Sequence, residues 1–137
     1  MPTSEPGILY LVATPIGNLS DLSRRACDTL ASCDLVVSED TRHTRQLLSH
    51  LGLDKPLRSY HKHSEREKAA GIVEALLEGK SVALVSDAGV PVISDPGAHL
   101  VAVAAEHGVR VVPIPGPSAV LSALAASGFS GDRFVFA

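Results

Sequence analysis

At 137 residues, 45% of them hydrophobic, the chain has the size of one domain and enough apolar material to fold without disulfides or metals. Aromatics are only 4% and tryptophan is absent, so the core must come from Val, Leu, Ile and Ala, which favours layered α/β architecture over a β-sandwich. A net charge of −3 excludes a uniformly basic nucleic-acid binder, and two cysteines, Cys27 and Cys33, exclude a disulfide framework or a CxxC-type zinc site. Buried thiols in a reducing compartment are expected.

Residues 1–7 are polar and read as a flexible terminus. From Ile8 to Ala13 the chain is continuously apolar and stops at Thr14-Pro15-Ile16-Gly17-Asn18, the pattern of a doubly buried strand entering a loop. Leu19, Leu22, Ala26 and Leu30 then recur at helical spacing, with Asn18 or Ser20 available as cap. Leu35-Val36-Val37-Ser38 is a short strand, and Thr41 opens a helix whose Leu47, Leu48 and Leu51 face inward before Gly52. Ser64 and Glu67 have capping-box spacing ahead of a helix with Ile72, Val73, Leu76 and Leu77 as its apolar stripe and Gly79 as its stop. Residues 82–85 and 109–114 are further strands, separated by a helix over about 96–107, and a last helix follows Pro117 and closes at Gly128. Alternation at this interval implies right-handed crossovers and a mostly parallel sheet with helices on both faces. Residues 8–132 form the α/β domain, and residues 133–137 read as the start of a fifth, edge strand or of a linker to a second domain.

In such a sheet, ligands bind beyond the carboxyl ends of the strands, where loops and helix N-termini offer backbone N–H groups. Three strand-end loops there are rich in Gly and Pro: 14–18, 86–91 and 115–119. Small residues let the backbone approach a ligand, and proline fixes loop shape beforehand. This makes Pro15, Gly17 and Gly89 candidate contacts. Asp87, directly after a buried strand, suits ribose hydroxyls or an ammonium group, or caps its own turn. Asp95 before Pro96 fits an N-cap followed by the first helical position, or a functional carboxylate. Glu39-Asp40-Thr41-Arg42 packs two carboxylates, a hydroxyl and a guanidinium at the same edge, either as a helix cap with a solvated arginine or as a group holding a polar substrate.

Residues 41–68 hold seven basic residues against three acids, +4, while the remainder is −7; four of six histidines, His43, His50, His61 and His63, also fall there. The segment reads as a solvated face or as an RNA-facing surface. His61 and His63 would point oppositely in an extended chain, which argues against joint metal ligation. Neither a Walker-type GxxxxGK[ST] nor a GxGxxG is present.

Five segments occur in order along the chain: residues 9–19 (LYLVATPIGNL), Ser38-Glu39-Asp40-Thr41-Arg42, Ser86-Asp87-Ala88-Gly89, Ile93-Ser94-Asp95-Pro96-Gly97 and residues 113–119 (PIPGPSA). Through them the chain resembles the small-subunit ribosomal RNA methyltransferase branch of the tetrapyrrole methylase superfamily. The resemblance implies S-adenosylmethionine as methyl donor and 2′-O-methylation of a cytidine ribose in 16S ribosomal RNA of the 30S subunit. It also implies a two-domain homodimer holding its cofactor between the domains; a cytoplasmic location without a membrane partner is expected from the sequence itself, which shows no charged leader with an apolar h-region and no apolar run of roughly 18 residues. In this reading Ser86, Asp87, Ala88, Gly89, Ile93, Ser94, Asp95, Ser118 and Ala119 touch the cofactor. Where the tetrapyrrole branch carries a GxGxGD loop, residues 13–18 differ, which counts against a corrinoid or porphyrin substrate. Asp40, Asp95 and His63 are unranked candidates for a general base, and Glu39, Arg42, Arg45 and Lys62 for holding RNA. The alternatives are a superfamily methylase acting on a tetrapyrrole or protein side chain, and a non-catalytic nucleotide-binding module.

Overall fold

The computed structural model describes residues 5–60, 65–86, 89–92 and 97–136. Five strands, β1 (Ile8–Val12), β2 (Leu35–Ser38), β3 (Leu57–Ser59), β4 (Val82–Val85) and β5 (Arg110–Ile114), pair in the order β3-β2-β4-β1-β5. Every strand pair is parallel, with β4 central and β1 between β4 and β5, in register Leu9↔Val82 and Leu9↔Val111. Five helices connect or follow them: α1 (Arg24–Ser32), α2 (Thr41–His50), α3 (Glu65–Leu77), α4 (Ala98–Glu106) and α5 (Ala119–Ala126).

The strand order decides where the helices go. Connections β1-α1-β2 and β2-α2-β3 step one way along the sheet, whereas β3-α3-β4 and β4-α4-β5 step back, so right-handed crossovers put α1 and α2 on one face and α3 and α4 on the other. The core divides accordingly. Leu9, Leu35, Val37, Val82 and Leu84 meet Ile72, Leu76, Leu100 and Ala104, while Val12, Val36, Ala83 and Val85 meet Ala26, Leu30 and Leu48. Alternate residues of one strand thus feed opposite cores, which explains why the strands read as continuous apolar runs. Fully burying each Val, Leu or Ile is worth about 1.5–3 kcal/mol.

Three sequence expectations need correction. The fifth strand is β3, and residues 133–136 form no strand. Expected as one helix from Leu19, the second segment is two: a 3-10 turn Leu19–Asp21, where Asn18 accepts from Ser20 N at 2.9 Å, then α1, where Ser23 Oγ accepts from Ala26 N at 3.0 Å. Leu22 between them is extended, which breaks the helix that its spacing with Leu19 and Ala26 suggested. Finally, α4 starts at Ala98 with Gly97 as its cap residue, and the acceptor for its first N–H groups is a side chain 32 residues away. Glu65 Oε1 accepts from Gly97 N at 3.1 Å and His99 N at 3.0 Å. The expected cap pair Asp95-Pro96 and the capping-box Ser64 lie outside the described residues.

No described helix is long and apolar enough to cross a membrane.

Candidate active site

Because all strands run parallel, the loops after β1, β4 and β5 leave the sheet at one edge, and they are tied to each other there. Thr14 and Gly89 form an antiparallel bridge, Thr14 N donating to Gly89 O and Gly89 N to Thr14 O, both at 2.9 Å. Thr14 Oγ1 donates to Ser86 O at 3.3 Å, and Ser86 Oγ donates to Gly89 O at 3.0 Å. Gly89 has φ +81°, and a Cβ there would sit 3.4 Å from Ile16 Cγ2 and 3.5 Å from Pro117 O, so it is the point where all three loops touch. A Cβ at Gly116 would come 2.9 Å from that of Ala13. Gly116 is needed because a Cβ would crowd that of Ala13, and Gly89 because its φ lies in the left-handed region.

The strand order also creates a crevice. β4 lies between β1 and β2, yet its connection leaves for the opposite face. Among the described residues, β4 sends no helix to the α1/α2 face above its own carboxyl end, the topological switch at which α/β sheets bind ligands. A cavity of about 340 Å³ occupies this gap, with the β1 loop from Thr14 to Leu19 on one side, α2 on the other and Ser86 at its base.

Asp40 is the N-cap of α2: its Oδ1 accepts from Arg42 N at 3.0 Å and His43 N at 3.4 Å. That is the capping alternative, and it also fixes the carboxylate at the edge that carries the glycine loops. Glu39 is half-buried, and Arg42 and Arg45 are exposed on α2. Ser118 Oγ caps α5 by accepting from Leu121 N at 3.3 Å, and Ala119 is the first residue of that helix. Pro15, Gly17, Ser86, Gly89, Ser118 and Ala119 therefore gather at one edge with Glu39, Asp40 and Arg42. Lys62, His63, Asp87, Ala88, Ile93, Ser94 and Asp95 lie outside the described residues.

The basic segment is not uniformly available. Lys55 Nζ donates to Cys33 O at 2.8 Å, and Lys68 Nζ to Ser59 O at 2.9 Å and Ser59 Oγ at 2.6 Å. Arg42, Arg45, Arg58 and Arg66 are exposed. Burial pushes the Cys33 thiol above its ordinary pKa against the opposing pull of Lys55, so it is a core thiol rather than a nucleophile. Tyr60 is buried beside Glu65; desolvation first, and then the Glu65 charge, push its hydroxyl pKa up. Val92, a β-branched residue at φ +80° between the β4 loop and α4, stores backbone strain of about 1–3 kcal/mol.

His43, Gln46 and His50 line the crevice and were not among the residues expected at the site. Their spacing of three and four on α2, beside the inward Thr44, Leu47 and Leu48, is a signal the sequence did hold.

Residues 8–135 match the profile of the tetrapyrrole (corrin/porphyrin) methylases. The chain belongs to the tetrapyrrole methylase family. Curated relatives named ribosomal RNA small subunit methyltransferase I are 56% identical in Haemophilus influenzae (98% of this chain, 47% of the relative) and 52% in Escherichia coli O157:H7 (95% and 46%). The chain spans about half the length of these relatives. Among solved structures, a conserved hypothetical protein from Aeropyrum pernix K1 superposes with TM-score 0.77 at 26% identity, over 96% of this chain and 46% of that one. A diphthine synthase superposes with TM-score 0.73 at 18% identity, over 94% and 52%, sharing the tetrapyrrole methylase fold.

Proposed function

We propose that the whole protein methylates the 2′-hydroxyl of a cytidine ribose in 16S ribosomal RNA, and that this chain forms one wall of the site. The observation that carries the reading is identity of 52–56% to ribosomal RNA small subunit methyltransferase I over 94–99% of the chain. S-adenosylmethionine, when bound, supplies an electrophilic methyl group on a sulfonium. The edge suits such a group: Gly89 at φ +81° and Gly116, where a Cβ would crowd that of Ala13, keep the three loops close together with little side chain between them. Ser86, Asp87, Ala88, Gly89, Ile93, Ser94, Asp95, Ser118 and Ala119 hold the cofactor, with Pro15 and Gly17 beside it.

A ribose hydroxyl is a poor nucleophile at neutral pH, so a base that takes its proton lowers the barrier. Asp40, Asp95 and His63 are the candidates. Glu39, Arg42, Arg45 and Lys62 hold the RNA, and the exposed arginines of α2 carry its phosphates. Residues 133–137 lead into a second domain that closes the cofactor cleft, and the whole protein works as a cytoplasmic homodimer. Two features support the second domain: the relatives are about twice as long, and α5 buries none of its residues while Leu121, Phe129 and Val135 are 56%, 81% and 90% exposed.

The test is transfer of labelled methyl from S-adenosylmethionine by the full-length protein to undermethylated 30S subunits. Label at a cytidine 2′-oxygen is expected, and Arg42→Ala with Arg45→Ala flattens the salt dependence of binding by roughly one unit of log-log slope or more. Label on a uroporphyrinogen and none on the subunit overturns the reading.

A further inference from the structure

We infer that the crevice between the β1 loop and α2 receives the base of the acceptor nucleotide, swung out of its strand. This rests on the reading of the protein as a ribosomal RNA methyltransferase and names the part of the site that recognises the target.

Four observations converge on the crevice. At about 340 Å³ it falls at the lower end of small-ligand pockets, the size range of a nucleotide. Its rim is built for a flat, polar-edged guest. His43 and His50, one on either side of Gln46 along α2, supply planar rings, in a chain with no Trp and only two Tyr. Proteins that read RNA by sequence stack unpaired bases on such rings and bond their edges.

The hydrogen-bonding groups suit a pyrimidine. Asn18 lines the crevice and its Oδ1 accepts from Ser20 N at 2.9 Å, which leaves the NH₂ as the group still able to donate, while Gln46 offers both donor and acceptor. A cytosine edge carries acceptors O2 and N3 next to the N4 donor, the complement of two amides.

Position distinguishes this guest from the cofactor. The crevice shares Pro15, Gly17 and Ser86 with the residues assigned to the cofactor and takes nothing from the β5 loop or α5. Its remaining wall is α2, the helix that carries Arg42 and Arg45. A base lodged there lies against the cofactor edge along Ser86, the adjacency that methyl transfer to its own ribose requires.

The test uses the full-length protein carrying Gln46→Leu, His50→Ala or His50→Phe, with 30S subunits as acceptor. All three substitutions fall on exposed positions of α2, and thermal melts within two degrees of the parent confirm the fold. Gln46→Leu and His50→Ala are expected to raise KM for the subunit roughly tenfold or more, the scale of one lost edge contact or stacking face. His50→Phe, which keeps a flat face, retains most of the parental KM, and the dissociation constant for S-adenosylmethionine stays within twofold throughout. An active parent whose KM is unmoved by Gln46→Leu and His50→Ala overturns the inference alone. So does loss of cofactor affinity with KM unchanged, which would give the crevice to the cofactor. A parent with no transfer to the subunit overturns the function on which the inference stands.

Discussion

Asp40 carries a structural duty that any test of its chemistry must keep. Its Oδ1 holds the first N–H groups of α2, so Asp40→Ala is expected to cost about 1 kcal/mol of stability whatever the carboxylate does in catalysis. Asparagine caps as well as aspartate but takes up no proton. Asp40→Asn therefore keeps the denaturation midpoint near the parent's. A drop of a hundredfold or more in single-turnover methyl transfer with that variant marks Asp40 as the base, the scale of general-base catalysis. A rate unchanged within twofold leaves the role to Asp95 or His63. At this scale the sequence was half legible. A carboxylate directly before Thr41 announces a cap, and it does cap. His43 and His50 counted in the sequence only as part of a polar, basic stretch, because the wall they form exists only once the β1 loop lies opposite α2. That juxtaposition depends on strand order, which local spacing does not encode.

Elements were legible where periodicity is long and lost where it is short. β1, β2, β4 and β5 are strands of four or five mostly apolar residues, and the two cores they feed explain the pattern. β3 has three residues, Leu57-Arg58-Ser59, with no run to detect; it is a strand because β2 offers it an edge, with Val36↔Leu57 and Ser38↔Ser59 in register. The cap of α4 was illegible for a like reason. Its acceptor comes from Glu65 at the start of α3, and only the packing of α3 against α4 on one sheet face brings them together. Glu65→Ala orphans the N–H of buried Gly97 and of His99, so a loss of about 2–3 kcal/mol is expected from urea unfolding, with Glu65→Gln recovering most of it. The same alanine removes two of the three causes that raise the Tyr60 pKa, leaving desolvation. Its phenolate absorbance should therefore appear at lower pH than in the parent, and an unmoved alkaline titration would separate Tyr60 from Glu65.

The whole molecule shows an imbalance that neither residues nor elements explain by themselves. α1 to α4 each bury side chains against the sheet, yet α5, with the most apolar sequence of the five, buries none. Phe129, Phe134, Val135 and Phe136, which follow α5 in the chain, are exposed as well. Exposed apolar surface of this kind marks an interface, and relatives about twice as long provide the material to cover it. If a second domain docks there, Ser118 and Ala119 lie at its boundary, and the loops 86–89 and 115–119 are one side of a cleft. Ligand affinity then depends on enclosure, since a half-open wall leaves most of the ligand's surface in water. Residues 1–137 by themselves are expected to bind S-adenosylmethionine about a hundredfold or more weakly than the full-length protein in titration calorimetry. The isolated chain keeps its cap at Ser118 and its bridge between Thr14 and Gly89, so such a difference would come from the missing wall rather than from a collapsed loop. A low-micromolar constant for the isolated chain would mean that its three strand-end loops suffice, and the exposed face of α5 would then need another partner.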